Sequence, residues 1–170
     1  MMGTRSGDLD PGIILFLLRG GHNAEEIADM LDHQSGLKGV SGGSSDMKDL
    51  LARRNSDKLA AVAVEMFCYQ ISKYVGAYAA ILNGLDTLVF TGGIGERAAE
   101  VREDVTRRMA FLGVELDPEA NASHSQVISR SQSRCVVRIV PTNEDLMIAR
   151  HTVSLFERLQ WGATPSAIKA

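Results

Sequence analysis

The chain has 170 residues, of which 18 are basic and 21 acidic, giving a formal net charge of −3. This length can bury a sizeable core, and the content of 45% hydrophobic and 23% charged residues is ordinary for a globular protein. Without a basic excess, we expect no nucleic-acid partner. No segment approaches 18 continuous apolar residues, and the N-terminal residues lack the pattern of a secretory leader. We therefore expect no membrane partner and a cytoplasmic location.

The first half of the chain is predicted to be mainly helical. Capping residues and apolar residues at helical spacing predict helices over residues 12–18, 24–33, 46–53 and 57–83. The Gly- and Ser-rich residues 35–45 are expected to form an ordered loop, with Ser45 capping the helix that follows. The aromatic and methionine stripe of the longest helix, residues 57–83, predicts core packing.

The second half alternates strand and helix patterns. Buried strands are expected over residues 87–90 and 136–140, and a brief strand over residues 114–116. Between them lie a charged amphipathic pattern over residues 96–112, which predicts one helix, and a polar stretch over residues 121–133, which predicts an exposed connection. Asn143 is expected to cap a last helix that reaches about Leu159.

The most informative segment is the strand that ends in a glycine-rich turn, residues 88–97, with the sequence LVFTGGIGER. Three glycines within four residues allow the main chain to approach a ligand closely. A helix that starts directly after them would present backbone N–H groups suited to a phosphate. This order of strand, glycines and helix predicts a nucleotide-binding protein of the α/β type.

Two other interpretations of the turn remain open at this level. Gly93, Gly95 and Ala98 fit a dinucleotide fingerprint, and Glu115 lies 20 residues past Gly95, where a ribose-binding acid is expected. A tight turn between strand and helix that binds no ligand is the second alternative.

Two further segments carry candidate chemistry. Glu144 and Asp145 follow a strand and begin a helix, where their oxygens can hold Mg²⁺, although the helix dipole alone also favours acids there. Arg5 lies in a Gly- and polar-rich loop and can bind phosphate or carboxylate oxygens through two hydrogen bonds, although a surface ion pair is the simpler explanation.

Several segments together resemble the acetate kinase family, the carboxylate kinases of the actin-like ATPase fold. The matching segments are residues 2–11, 35–47, 67–78, 90–96 and 141–150. The resemblance spans residues 1–155 in order, and it is specific enough to displace the dinucleotide interpretation. It implies the α/β fold of the C-terminal domain of an actin-like (ribonuclease H-like) ATPase, a sheet flanked by helices.

The resemblance also implies a reaction, the reversible transfer of a phosphoryl group from ATP to acetate, which gives acetyl phosphate and ADP. In the family pattern Arg5 is the catalytic arginine at the transferred phosphoryl group, and Glu144 is the acid that holds Mg²⁺. The residues expected to contact the ATP or ADP are Asp46, Met47, Lys48, Gly92, Gly93, Ile94, Gly95, Glu96 and Arg97. Lys48 replaces a usual arginine, Arg97 a common asparagine and Lys38 a usually apolar residue.

The resemblance further implies that residues 1–160 form the C-terminal nucleotide-binding and dimerisation domain, that the N-terminal lobe is absent, and that residues 161–170 form a disordered tail. The missing lobe would supply the other catalytic groups, so the isolated chain is expected to be weakly active or inactive. The acceptor is expected to be acetate or another short carboxylate, such as propionate or butyrate, and the assembly a homodimer. A non-catalytic module that dimerises and binds adenine nucleotide is the alternative.

Overall fold

The computed structural model describes residues 1–162, and the exposure of side chains for residues 1–158. The chain divides into a larger unit, Met1–Val140, and a smaller one, Pro141–Ala170. The helices of the larger unit are α1 (Pro11–Arg19), α2 (Ala24–His33), α3 (Gly36–Ser41), α4 (Met47–Arg53), α5 (Lys58–Ile81), α6 (Gly92–Arg97), α7 (Ala99–Arg107) and α8 (Pro118–Ala122), with a 3₁₀ turn at Ala110–Leu112. The smaller unit contains α9 (Glu144–Gly162).

Two strands, β1 (Thr87–Phe90) and β2 (Val136–Ile139), pair in parallel with Thr87 opposite Val136. Parallel neighbours require a long crossover, and α6, α7 and α8 lie within it. Both predicted strands are confirmed, with β2 one residue shorter than expected. Of the brief strand predicted near residue 115, only an isolated bridge between Leu116 and Ser129 is present.

Helix α5 lies at the centre of the core of the larger unit, where it contacts α3, α4 and α7. Its buried face consists of small residues, among them Ala60, Ala63, Val64 and Cys68. The prediction that its large stripe packs in the core was wrong for Leu59, Val62, Met66, Tyr74, Tyr78, Ile81 and Leu82, which are exposed. Small side chains allow neighbouring helices to approach closely, and this explains why the small residues of α5 are the buried ones.

The Gly- and Ser-rich segment is less irregular than its composition suggested. Residues 36–41 form α3, which the sequence analysis assigned to a loop. Asp46 rather than Ser45 caps α4, because its carboxylate Oδ1 accepts a hydrogen bond from the amide of Lys48 at 2.9 Å. The carboxylate of Asp46 therefore stabilises the first turn of α4.

The predicted helix over residues 96–112 is broken. Ala98 has extended backbone angles and separates α6 from α7. The polar segment that follows is also more buried than predicted, since Asn121 is 4% exposed and Ile128 is fully buried. The break at Ala98 and the burial of Asn121 both involve a buried arginine described below, whereas Ile128 packs in the hydrophobic core.

The smaller unit begins as predicted, because the Asn143 side chain accepts a hydrogen bond from the Leu146 amide at 2.9 Å. Helix α9 continues to Gly162, past the expected end near Leu159. Trp161 and Gly162 thus belong to a helix, contrary to the predicted disordered tail, and residues 163–170 lie outside the described residues. Among the described residues, none of the helices has the length and apolarity needed to cross a membrane.

Candidate functional site

A cleft of about 840 Å³ lies in the larger unit between the start of α4 and the glycine turn, which we define as residues 91–98. Its lining residues are Ser45, Asp46, Met47, Lys48, Leu51, Ala52, Gly93, Ile94, Arg97, Ala98 and Glu100. Two segments that are about 45 positions apart in the sequence therefore face one space. Six of the nine residues predicted to contact nucleotide are in this lining.

The first wall of the cleft is the N-terminal turn of α4. The hydroxyl of Ser41 is buried and donates to the carbonyl of Ser44 at 2.8 Å, which fixes the turn that leads into the helix. Lys48 is exposed, whereas Met47 is only 4% exposed and belongs to the hydrophobic core. Met47 therefore anchors this wall to the core, and Lys48 places a positive charge at the cleft.

The second wall is the glycine turn. Gly93, Ile94 and Arg97 line the cleft, whereas Gly92, Gly95 and Glu96 do not. The amide of Gly92 donates to the Glu96 carboxylate at 2.9 Å, so the first N–H of α6 is already bonded within the turn. The expectation that the N–H groups of this helix start are available to a phosphate is therefore wrong for Gly92.

Gly95 is needed for packing of the turn on β1. A Cβ at this position would lie 3.3 Å from the carbonyl carbon of Phe90, the last residue of the strand. Contacts this short are tighter than most side chains tolerate, so a glycine keeps α6 close to the strand end. Gly93 differs, because a Cβ there would meet open space.

A buried arginine that the sequence analysis did not single out holds this turn from behind. Arg102 of α7 is fully buried, and its guanidinium donates to the carbonyls of Gly95 at 2.9 Å and Glu96 at 3.0 Å. It also donates to the side-chain and main-chain oxygens of Asn121, at 2.7 and 2.9 Å. Burial lowers the pKa of Arg102. The guanidinium of arginine nevertheless keeps its positive charge, and here it has abundant hydrogen-bond acceptors. The signal available in sequence was only an arginine on the apolar face of a helix.

Arg5 does not line the cleft, but its loop adjoins it. Residues 1–10, which we call the arginine loop, dock on the start of α3 through main-chain hydrogen bonds. The amides of Leu37 and Lys38 donate to the carbonyls of Met2 and Gly3 at 2.8 and 3.0 Å. A Cβ on Gly3 would lie 3.5 Å from the carbonyl oxygen of Ser45, a residue of the cleft wall. The arginine loop thus borders the first wall, and Arg5 itself is exposed.

The far end of the arginine loop is tied to α5 through Asp8. Its carboxylate accepts hydrogen bonds from the Tyr74 hydroxyl and from Gln70 at 2.9 Å, and the Lys73 ammonium lies 3.7 Å away. The Tyr74 hydrogen bond, with a smaller contribution from Lys73, lowers the pKa of Asp8. The same hydrogen bond raises the pKa of Tyr74.

Glu144 lies at the start of α9, in the smaller unit, and is exposed. Asp145 follows it in the same first turn. Within residues 1–162, no group of three or more His, Cys, Asp or Glu side chains is placed to hold a metal ion. One exposed carboxylate at a helix start suits Mg²⁺ that takes its remaining ligands from phosphate and water, which is how this ion usually binds.

Glu115, the acid required by the dinucleotide alternative, is not in the cleft lining. Its carboxylate accepts a hydrogen bond from Gln132 at 3.1 Å, and its amide donates to Ser133 at 3.0 Å. Glu115 therefore joins two connecting segments, and nothing in the structure supports a role for it in binding ribose.

With its parallel strands, flanking helices and cleft beside a strand end, this chain is an α/β protein. The sequence profile of the Acetokinase family matches residues 1–150. An acetate kinase from Rhodopseudomonas palustris is 53% identical over 154 residues, which are 89% of this chain and 38% of that protein. The chain belongs to the acetokinase family.

Solved structures agree in fold. The crystal structure of Porphyromonas gingivalis acetate kinase matches with a TM-score of 0.85 and 43% identity, over 92% of this chain and 40% of that one. A propionate kinase from Francisella tularensis matches with a TM-score of 0.81 and 40% identity, over 87% of this chain and 38% of that one. The predicted fold class is confirmed, and the chain spans about two fifths of the length of these relatives.

Proposed function

We propose that this chain is the nucleotide-binding portion of an ATP-dependent carboxylate kinase, a phosphotransferase with a carboxyl acceptor. The observation that carries the proposal is the cleft, which gathers residues 46–48 and Gly93, Ile94 and Arg97 around one space. The family resemblance assigns these same residues to one ligand. In relation to the family, we assign the chain to the C-terminal portion, as the order of its motifs suggests.

The cleft has the charges that a nucleotide requires. Lys48 and Arg97 supply two cations on opposite walls, and neither makes an ion pair among the salt bridges of the described residues. A phosphate group placed between them would gain charge-assisted hydrogen bonds. Ile94, together with Leu51 and Ala52, supplies apolar surface for a base.

Two residues have proposed roles in phosphoryl transfer, Arg5 of the larger unit and Glu144 of the smaller one. Phosphoryl transfer depends on positioning and on neutralising the charge of the transferred group, and an exposed arginine on a firmly docked loop suits that task. Glu144 would hold Mg²⁺ together with phosphate oxygens and water. When bound, Mg²⁺ neutralises part of the negative charge on the phosphates.

Acetate is the proposed acceptor, and propionate is the runner-up because a propionate kinase is among the similar structures. We also propose a homodimer in the cytoplasm. The exposed apolar side chains of α5, among them Tyr78 and Ile81, supply a surface that a second copy would cover.

Binding of ADP to the purified chain, measured by calorimetry, tests the cleft assignment. We expect Lys48→Met to weaken binding about tenfold, the loss of roughly one charge-assisted hydrogen bond. Lys58→Met is the matched control, because Lys58 is exposed on α5 and does not line the cleft. Equal affinities in the two variants would contradict the placement of the nucleotide.

Formation of acetyl phosphate from ATP, Mg²⁺ and acetate, trapped as the hydroxamate, tests the reaction. Turnover that disappears in both Arg5→Ala and Glu144→Ala would support the proposed roles of these residues. Binding of ADP without any turnover would be compatible with both the portion of a carboxylate kinase and the non-catalytic module, and it would leave nucleotide binding as the activity of this chain. A folded chain that binds no ADP would overturn both.

A further inference from the structure

The guanidinium of Arg102 has all five of its N–H groups bonded. Two donate to Gly95 and Glu96, two to Asn121, and the fifth lies 3.0 Å from Nδ1 of His124. Five is the full donor capacity of arginine. Since the side chain is fully buried, each of these acceptors replaces a water molecule that the group would otherwise have bound.

The acceptors lie at the ends of two helices. Gly95 and Glu96 are in the last turn of α6, and Asn121 is next to the last residue of α8. Terminal carbonyls of a helix lack partners within the helix and carry the negative end of its dipole. A buried cation between two such ends is therefore stabilised although none of its hydrogen-bond partners is a carboxylate.

The same hydrogen bonds explain the break at Ala98. In a continuous helix, the carbonyls of Gly95 and Glu96 would accept from the amides of residues 99 and 100. Here they accept from Arg102 instead, and the chain turns at Ala98 before α7 begins. Gly93, Ile94 and Arg97 precede the break, and Glu100 follows it, yet all four line the cleft.

We propose that Arg102 is a positioning residue, which fixes the end of α6 and so presents Gly93, Ile94 and Arg97 to the nucleotide. Asn121 and His124 act with it by holding the other side of the guanidinium. The inference rests on the proposed function in so far as the ligand is a nucleotide, but the positioning itself is a property of the free protein. Arg102 touches no reacting atom and has no catalytic role.

The substitution Arg102→Lys tests the proposal, because lysine keeps the charge but has three donors and no planar fork. We expect amide hydrogen exchange at residues 96–98 to accelerate about tenfold or more, and the affinity for ADP to fall about tenfold, each equivalent to the loss of roughly one hydrogen bond to a charged group. The exchange rate and the ADP affinity are both measured under conditions in which circular dichroism shows that the variant is fully folded.

The matched control is Val105→Ala. Val105 is fully buried in the same helix, and its side chain makes no hydrogen bond to the carbonyls of Gly95 and Glu96. It destabilises α7 by leaving a cavity, which a purely structural role of Arg102 would mimic. An Arg102→Lys variant that matches Val105→Ala in exchange at residues 96–98 and in ADP affinity would overturn the proposal. If the wild-type chain binds no ADP, the proposed function fails, and the exchange comparison alone decides the role of Arg102.

Discussion

The arginine loop and the glycine turn both carry predicted site residues, but they are held in different ways. The arginine loop is docked by its own main chain, through amides and carbonyls shared with residues 31–38. The end of the glycine turn is held by a side chain from another helix, the Arg102 guanidinium. The first arrangement depends on close approach of two backbones, and the second on hydrogen bonds from a buried side chain.

This difference determines which substitutions can disturb each wall of the site. Main-chain docking tolerates most side-chain changes but not an added Cβ where the backbones meet. Docking by a buried guanidinium that binds main-chain oxygens tolerates most side-chain changes along the turn, apart from an added Cβ at Gly95, but not the loss of that guanidinium. Four substitutions sharpen the comparison.

The largest effect is expected for Arg102→Met. The substitution leaves several buried acceptors unsatisfied, and removal of one partner from such a network typically costs about 3–5 kcal/mol. Urea denaturation followed by circular dichroism measures the loss. Arg107→Met, on the same helix but with an exposed side chain, should cost less than about 1 kcal/mol.

Gly36→Ala should be next. Gly36 has a φ of +63°, and an added Cβ would lie 2.3 Å from the Met2 carbonyl oxygen and 2.7 Å from that of Arg5. The combined strain and overlap should cost about 2–4 kcal/mol and accelerate amide exchange at Leu37 and Lys38. Gly76→Ala is the control, since its Cβ meets open space within α5 and should stabilise the helix by about 0.5–1 kcal/mol. A Gly36→Ala protein as stable as wild type would mean that the loop is not docked this way.

His124→Ala probes one of the five Arg102 hydrogen bonds. His124 is itself exposed, so water can replace its ring nitrogen, and loss of this acceptor should cost at most about 1 kcal/mol, a fraction of the effect of removing the guanidinium. His33→Ala, where the histidine is exposed beside Asp29, should change the unfolding free energy by at most about 0.5 kcal/mol. Equal effects for the two histidines would show that the Arg102 network does not depend on His124.

The smallest effect is expected for Tyr74→Phe, which removes a hydrogen bond at the far end of the arginine loop. In the folded protein the pKa of Asp8 lies below its usual 3.8, so the contribution of Asp8 to stability is present above that value and is lost as the pH falls through the lowered pKa. Without the hydroxyl, the pKa of Asp8 should rise toward its usual value, as a carboxyl NMR titration would measure. An unchanged titration would exclude Tyr74 as the main cause.

The sequence predicted the strands, most helices and the glycine turn because each depends on local signals: alternation, capping residues and glycine spacing. Through family resemblance it also named six residues that face the cleft, whereas Gly92, Gly95 and Glu96, named with them, do not. It failed where distant residues decide the outcome. The break at Ala98 requires Asn121 and His124 to be folded against Arg102, and no local pattern at residues 96–112 indicates that. The prediction for the large apolar residues of α5 failed for a related reason, since apolar periodicity does not say which of two faces of a helix is buried.

The pairing of β1 with β2 has a consequence for folding kinetics. Thr87 lies opposite Val136, so the sheet joins residues 49 positions apart, with the whole Arg102 network inside the intervening segment. Long-range parallel pairing must overcome the entropy of closing that segment before any ladder hydrogen bond compensates for it. We therefore expect helix α5, whose main-chain hydrogen bonds are local, to form early, and the strand pair, with the glycine turn at its end, to be among the last elements to form.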